Sequence, residues 1–277
     1  MKPDTLFLSG GGINCLTFLG AFQYLFEKKI IEPNFQGIKN IVCVSGSSIH
    51  ILHLLLGYSL EVTMKVSLEF KNEEWVDYNH FNINNVFEKY GLYNNDFIKD
   101  LCSTLLENKG LSKDMTLQEL YNHTKINLYF KVSNINKGKI EYISHKNYPD
   151  LSLIHTVQMT TCVPLFFQPI KYNGDAYVDG GLCGNFPLEF NRSLKSKDYL
   201  GIHIQNNGGT TEINTLFDYI GSLYRMPWSP YDQRKKNKKI INIVMDNTGL
   251  IFTLKEEEKK KMIKHGYIST LKHFTDS

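Results

Sequence analysis

The chain has 277 residues and a mass of 32.0 kDa, enough to bury a substantial core as one α/β domain or two small ones. Hydrophobic residues make up 42% and charged residues 21%, which excludes a disordered or fibrous chain, and a net charge of +3 does not mark a nucleic-acid binder. The five cysteines run from Cys15 to Cys183 without a CxxC pair, a pattern that argues against a disulfide framework or zinc module and fits a reducing, cytoplasmic setting.

Neither a signal peptide nor a membrane-spanning segment is expected. The first apolar run, Leu6-Phe7-Leu8 with its flanks, has strand length. The longest, Ile49 to Leu60, is broken by His50 and His53 and is about half a bilayer span.

No internal repeat or Pro/Gly/Ser-rich linker appears, so residues 1–277 are expected to form a single domain. Thr5–Ser9 reads as a strand ending in Gly10-Gly11-Gly12. Ile13–Lys29 follows as a buried helix, with Leu16, Leu19, Phe22, Leu25 and Phe26 on one face. Asn40–Val44 lacks polar alternation, as suits a parallel strand covered on both faces. Ser45-Gly46-Ser47-Ser48 then leads into a helix over Ile49–Tyr58. Strand, helix, strand, helix predicts an α/β fold around a parallel sheet.

The stretch from Glu61 to Leu120 is more polar. Asn95-Asp96 could cap a helix over Phe97–Glu107, and Thr116 one over Leu117–Tyr121. Ile126–Ser133 and Ile140–Ser144 read as strands joined by the turn Asn136-Lys137-Gly138. A helix over Leu151–Thr161 cannot continue through Pro164. Ala176–Val178, Leu200–Gln205 and Ile240–Met245 are further strands, and Lys255–Phe274 is a charged amphipathic helix whose Lys255–Lys261 run is expected to face solvent.

Three constellations carry chemistry. Gly10-Gly11-Gly12 between strand and helix forms an anion site, for a phosphate or for the oxyanion of acyl transfer, or is simply a tight turn. A dinucleotide fingerprint fails because its sixth place is Cys15 and no acidic residue follows at the expected distance. Gly46-Ser47-Ser48-Ile49-His50 fits G-x-S-x-G except for its last position, and a serine at such a turn projects its hydroxyl for attack. Asp179-Gly180-Gly181 at a strand end could place a carboxylate to deprotonate a serine, although most Asp-Gly pairs are turns. His50 and His53 have no third ligand nearby in sequence, so neither a metal nor another cofactor is expected.

The order of these elements is informative. Leu8-Ser9-Gly10-Gly11-Gly12, then Val44-Ser45-Gly46-Ser47-Ser48, then Thr161–Pro169 with its Pro-Leu-Phe-Phe-Gln-Pro, then Tyr177–Pro187 with Asp-Gly-Gly and Asn-x-Pro, resembles the patatin-like phospholipase family over nearly the whole chain. The resemblance implies a three-layer α/β fold with a mainly parallel sheet flanked by helices. It implies hydrolysis of glycerolipid acyl esters without a metal. Ser48 would be the nucleophile, Asp179 its base, and the N–H groups of Gly10, Gly11 and Gly12 the oxyanion hole. Gly46, Gly180 and Gly181 would support the two loops. A serine hydroxyl needs such a base, and burial beside Ala176–Val178 would raise the Asp179 pKa and strengthen it.

Three positions depart from the family pattern. Asn14 stands where Lys or Arg is usual, and Cys15 and His50 stand where glycine is usual. His50 is not expected to join the dyad, because two residues along a helix is about 200° of rotation. The departures keep open a catalytically impaired lipid-binding or interaction protein on the same scaffold.

The lipid substrate would be met at a membrane or lipid-droplet surface. Arg225 to Lys239 carries six basic residues and one acidic, a local +5, with Trp228 and Tyr231 among them. Trp228, Tyr231, Lys235, Lys236, Lys238 and Lys239 are therefore the expected peripheral membrane contacts, with a solvated loop as the other reading. Oligomeric state is not legible.

Overall fold

The computed structural model describes residues 2–71, 84–206, 213–214, 216–225, 237–245 and 254–276. The chain opens with β1 (Thr5–Leu8), a single 3₁₀ turn (Gly12–Cys15) and α1 (Leu16–Glu27), followed by β2 (Asn40–Val44), α2 (Ser47–Leu55) and α3 (Leu60–Glu69). Next come α4 (Asn84–Lys89), β3 (Gly91–Tyr93), α5 (Asp96–Glu107), α6 (Leu117–Thr124), β4 (Asn127–Asn134), β5 (Lys139–Ile143) and α7 (Leu153–Thr161). The last third holds β6 (Leu165–Phe167), β7 (Ile170–Tyr172), β8 (Asp175–Asp179), α8 (Asn191–Leu194), β9 (Tyr199–Asn206), α9 (Leu216–Arg225), β10 (Ile240–Met245) and α10 (Glu256–Thr275).

The α/β class is as expected. Among the described residues the main sheet has eight strands, in the order β10-β9-β1-β2-β4-β8-β7, with β5 also paired to β4. The pairs from β10 to β4 are parallel, whereas β5 and β8 run antiparallel to β4 and β7 antiparallel to β8. Strand pleating sends alternate side chains to opposite faces. Leu6, Leu8, Ile41, Cys43, Leu128 and Phe130 enter the large core, with apolar residues of α1, α2, α5, α6 and α7. Phe7, Val42 and Tyr129 face a smaller cluster with Phe186, Leu188, Phe190 and Tyr199. Both faces of the central strands are thus covered, which explains why β1 and β2 read as unbroken apolar runs.

Two helix-start expectations separate here. Thr116 caps α6 in a full capping box with Glu119, whereas the Asn95 side chain makes no cap bond and donates instead to Gln158 O at 3.0 Å. The Lys255–Lys261 run is not wholly a solvated face. Lys259 is buried and donates to the carbonyls of Ser67, Leu68 and Phe70, which close the carboxyl end of α3. A second sheet of β3 and β6, each of three residues, lay below the length that periodicity reveals.

Helices α1 and α10 cross at backbone contact. A Cβ at Gly20 would overlap the Ile263 carbonyl, and one at Gly266 would overlap the Thr17 carbonyl. Gly20→Ala and Gly266→Ala will each lower stability by about 1–3 kcal/mol or more, the cost of overpacking a contact that cannot relax. Urea unfolding midpoints measure this, and wild-type midpoints would show that the helices slide apart freely.

Candidate active site

The topology of β4 builds the site. β5 pairs with Phe130–Asn134, β2 with Asn127–Lys131 and β8 with Val132–Asn134. A strand has two edges, and β5 overlaps both of the other ranges. β2 and β8 must therefore share one edge, end to end. Val44, last in β2, lies opposite Lys131, and Asp179, last in β8, lies opposite the next residue, Val132. Because β8 is antiparallel, the carboxyl ends of the two strands converge. The Ser45–Ser48 turn and the Asp179–Gly181 turn therefore leave the sheet from adjacent points.

The turn after β2 is closed by its own serines. Ser47 Oγ accepts from Val44 N at 3.0 Å and donates to Val44 O at 2.8 Å. Ser45 takes a left-handed φ of 54°, unusual for a residue with a side chain, and its N–H donates to Thr160 Oγ1 at 3.1 Å. Ser48 is fully buried in the first turn of α2, where its Oγ donates to Ser45 O at 2.6 Å. The helix thus begins two residues earlier than the sequence suggested, and the unusual backbone falls on Ser45 rather than on the serine of the motif. Gly46 is itself helical in φ and ψ. Its small size serves another purpose, since a Cβ there would lie 2.7 Å from Gly12 O and 3.3 Å from Cys15 Sγ.

The glycine loop packs directly against this turn. Gly12 has φ of 54°, open to glycine without strain, and begins the 3₁₀ turn rather than an α-helix. The Gly10 N–H donates to Asn185 O at 3.0 Å, and Asn185 Nδ2 returns a bond to Gly10 O at 2.9 Å. Gly10 is thereby pinned to the segment that follows Asp179, and its N–H is occupied within the fold. Ser9 fixes the loop from the other side, its Oγ accepting from Ile204 N at 2.9 Å.

Asp179 is fully buried. One carboxylate oxygen accepts from Gly181 N at 2.7 Å, and its own N–H donates to Cys162 O at 2.8 Å. Burial, and then the Asp179 charge, push up the pKa of the Cys15 and Cys162 thiols. Both are held as neutral thiols beside the carboxylate.

The departures from the family pattern now have places. Asn14 is buried, its N–H donating to Gly11 O at 3.0 Å and its carbonyl accepting from Thr17 Oγ1 at 2.7 Å. Cys15 fills the space between the Gly11 and Gly46 backbones. His50 lies on α2 with Ser48, about 200° around the helix. Burial first, and neighbouring His53 second, hold its pKa down to about 3.

Sequence reasoning missed Lys131 and Thr160, which tie the two turns together, and Asn185, which ties the glycine loop to the segment after Asp179; in each case the bonded partners are far apart in the chain. Asn185 alone carried a signal, as part of the Asn-x-Pro segment. Of the six expected membrane-contact positions, Trp228, Tyr231, Lys235 and Lys236 lie outside the described residues. Lys238 is exposed, and Lys239 donates to Lys197 O with its ammonium 5.1 Å from the Tyr199 ring centroid.

A buried serine on a strand-to-helix turn, a buried carboxylate and a glycine loop thus meet in an α/β fold, at the carboxyl ends of β2, of the antiparallel β8 and of β1 respectively. The patatin-like phospholipase family profile matches residues 6–191, and the chain belongs to that family. It is 29% identical over 276 residues to the uncharacterized protein R571 of Acanthamoeba polyphaga mimivirus, covering 94% of this chain and 90% of that one. It is 27% identical over 192 residues to the probable lipid hydrolase 463L of Invertebrate iridescent virus 6, covering 68% of this chain and 64% of that one. Among solved structures, VipD of Legionella pneumophila superposes with a TM-score of 0.70 at 16% identity, covering 100% of this chain and 67% of VipD. The type III effector ExoU superposes with a TM-score of 0.54 at 13% identity, this chain spanning 53% of it.

The depressed histidine makes stability pH-dependent. An unfolded histidine takes up a proton near pH 6.5, whereas native His50 stays neutral down to about 3. The unfolded state thus binds more protons in this window, and stability falls as pH falls. Between pH 6.5 and 5 the loss is up to about 2 kcal/mol. Urea titrations of His50→Gln will lose that part of the slope, and a slope equal to wild type would show that His50 titrates normally.

Proposed function

We propose that the protein is a lipid acyl hydrolase that works through a Ser48 acyl-enzyme, with Asp179 as the base. The observation that carries this reading is the end-to-end meeting of β2 and β8 against β4, which brings the Ser48 and Asp179 turns to one point. Ser48 Oγ turns from Ser45 O and attacks the acyl carbonyl carbon while its proton passes to Asp179. The carbonyl oxygen becomes an oxyanion, and the N–H groups of Gly11 and Gly12 receive it. Gly10 contributes by fixing the loop, since its N–H is held by Asn185 O. The intermediate collapses, the C–O bond to the lipid alcohol breaks, and the leaving oxygen takes the proton from Asp179. Water, deprotonated by Asp179, then releases the fatty acid and restores Ser48.

The compartment we assign is aqueous, reducing and cytoplasmic. Five free cysteines, four of them buried, support it, and no helix among the described residues is long and apolar enough to cross a membrane. The family match ends at residue 191, yet β9 and β10 extend the same sheet and α10 packs on α1, so we take residues 1–277 as one domain. Contact with a lipid surface through Trp228, Tyr231, Lys235, Lys236, Lys238 and Lys239 rests on the sequence pattern.

Two experiments test this. With a soluble short-chain acyl ester and with phospholipid vesicles, Ser48→Ala and Asp179→Asn will reduce turnover to background. Gly12→Ala, which displaces an oxyanion donor, will cost about 10²–10³-fold. Wild-type turnover no greater than that of Ser48→Ala on either substrate refutes the hydrolase. Separately, neutralising Lys235, Lys236, Lys238 and Lys239 will weaken co-sedimentation with anionic vesicles at low salt, and unchanged sedimentation removes that surface from the account.

A further inference from the structure

Lys131 is a lysine in the middle of the main sheet, and its side chain is fully buried. A desolvated ammonium is costly unless it is paired and hydrogen-bonded. Its Nζ donates to Gly184 O at 2.6 Å and to Glu189 Oε1 at 2.7 Å. Glu189 Oε1 also accepts from Tyr142 OH at 2.7 Å, and the Tyr142 ring stacks on Phe190 with centroids 3.9 Å apart. The side chain therefore straps down the far end of the loop that begins at Asp179. Gly184 has φ of 110°, so a glycine lets the backbone turn its carbonyl to the ammonium.

The main chain of the same residue reaches the other half of the site. Lys131 O accepts from Thr160 Oγ1 at 2.7 Å, and Thr160 Oγ1 in turn accepts from Ser45 N, in the turn that carries Ser48. Gly180, directly after Asp179, passes so close that a Cβ would overlap Lys131 O. One residue thus holds the serine turn through its carbonyl and the aspartate loop through its ammonium.

We infer that Lys131 is a positioning residue that sets the placement of Asp179 relative to Ser48, an inference that rests on the Ser48–Asp179 reading above. Without its ammonium the Gly180–Gly184 loop loses its anchor while the β4 ladder stays intact. The consequence is a misplaced base, which costs turnover more than substrate binding.

The test uses the full chain. Lys131→Met leaves the Glu189 carboxylate behind, so the paired variant Lys131→Met/Glu189→Gln removes that charge while keeping an acceptor for Tyr142. Both variants will lose about 10²-fold in kcat on a soluble ester, with KM within about twofold, the scale of an ångström misplacement. Thermal stability will recover in the paired variant and kcat will not. Lys131→Arg, which keeps the charge in a different shape, supplies a folded variant if Lys131→Met does not fold, and will also lose kcat. Recovery of kcat together with stability, or a wild-type kcat in Lys131→Arg, overturns the inference. Amide exchange of Gly180–Gly184 supplies a readout independent of activity, and it will quicken at least about tenfold in the paired variant. Unchanged exchange overturns the inference even if no ester is cut. Background turnover by the wild type, with faster exchange in the variant, refutes the hydrolase reading alone.

Discussion

The site depends on two strands sharing one edge of β4 from opposite directions. A parallel β2 and an antiparallel β8 meet there with consecutive partners, Lys131 and Val132. A backbone ladder fixes such a register firmly, because a slip of one residue would turn every side chain to the wrong face. Had β8 run parallel to β4, its carboxyl end would point away from β2, and Asp179 would leave the sheet far from the Ser45–Ser48 turn. The direction of one strand thus decides whether two residues 131 positions apart can work together.

Around that meeting point the protein is assembled from close backbone approaches. Gly10 lies against Asn185, Gly46 against Gly12 and Gly180 against Lys131, each at a distance that leaves no room for a Cβ. Gly10, Gly46 and Gly180 are needed for contact, whereas Gly12, and Gly184 beyond the third motif, take a left-handed backbone. Packing of this kind excludes water, and burial first, with the Asp179 charge second, keeps the Cys15 and Cys162 thiols protonated. Cys15, out of place in the family pattern, serves here as an apolar filler between two loops.

Much of the architecture was legible because its signals are local. β1, β2, β9 and β10 fall on short apolar runs flanked by polar or glycine-rich sequence, and the Thr116–Glu119 capping box marks its own helix. The misses share a cause. β3, β6 and β7 have three residues each, too few to show a period. Asn95 has a cap residue's chemistry, but tertiary packing offered its amide the Gln158 carbonyl instead. Lys259 sits in a run of charges that reads as solvated, yet the α3 carboxyl end comes to meet it.

The sequence by itself determined the α/β class, the order of the elements and the three motifs, because strand and turn preferences and the need for glycine act over a few residues. Ser48 and Asp179 stood out as candidates within those motifs, and the family resemblance that the order of the motifs carries implied their roles. Only the tertiary structure decided that their two turns adjoin, that the Gly10 N–H is already held, and that Lys131, Thr160 and Asn185 tie the loops together. Those facts follow from hydrogen bonds between groups far apart in the chain, whose partners no local pattern encodes.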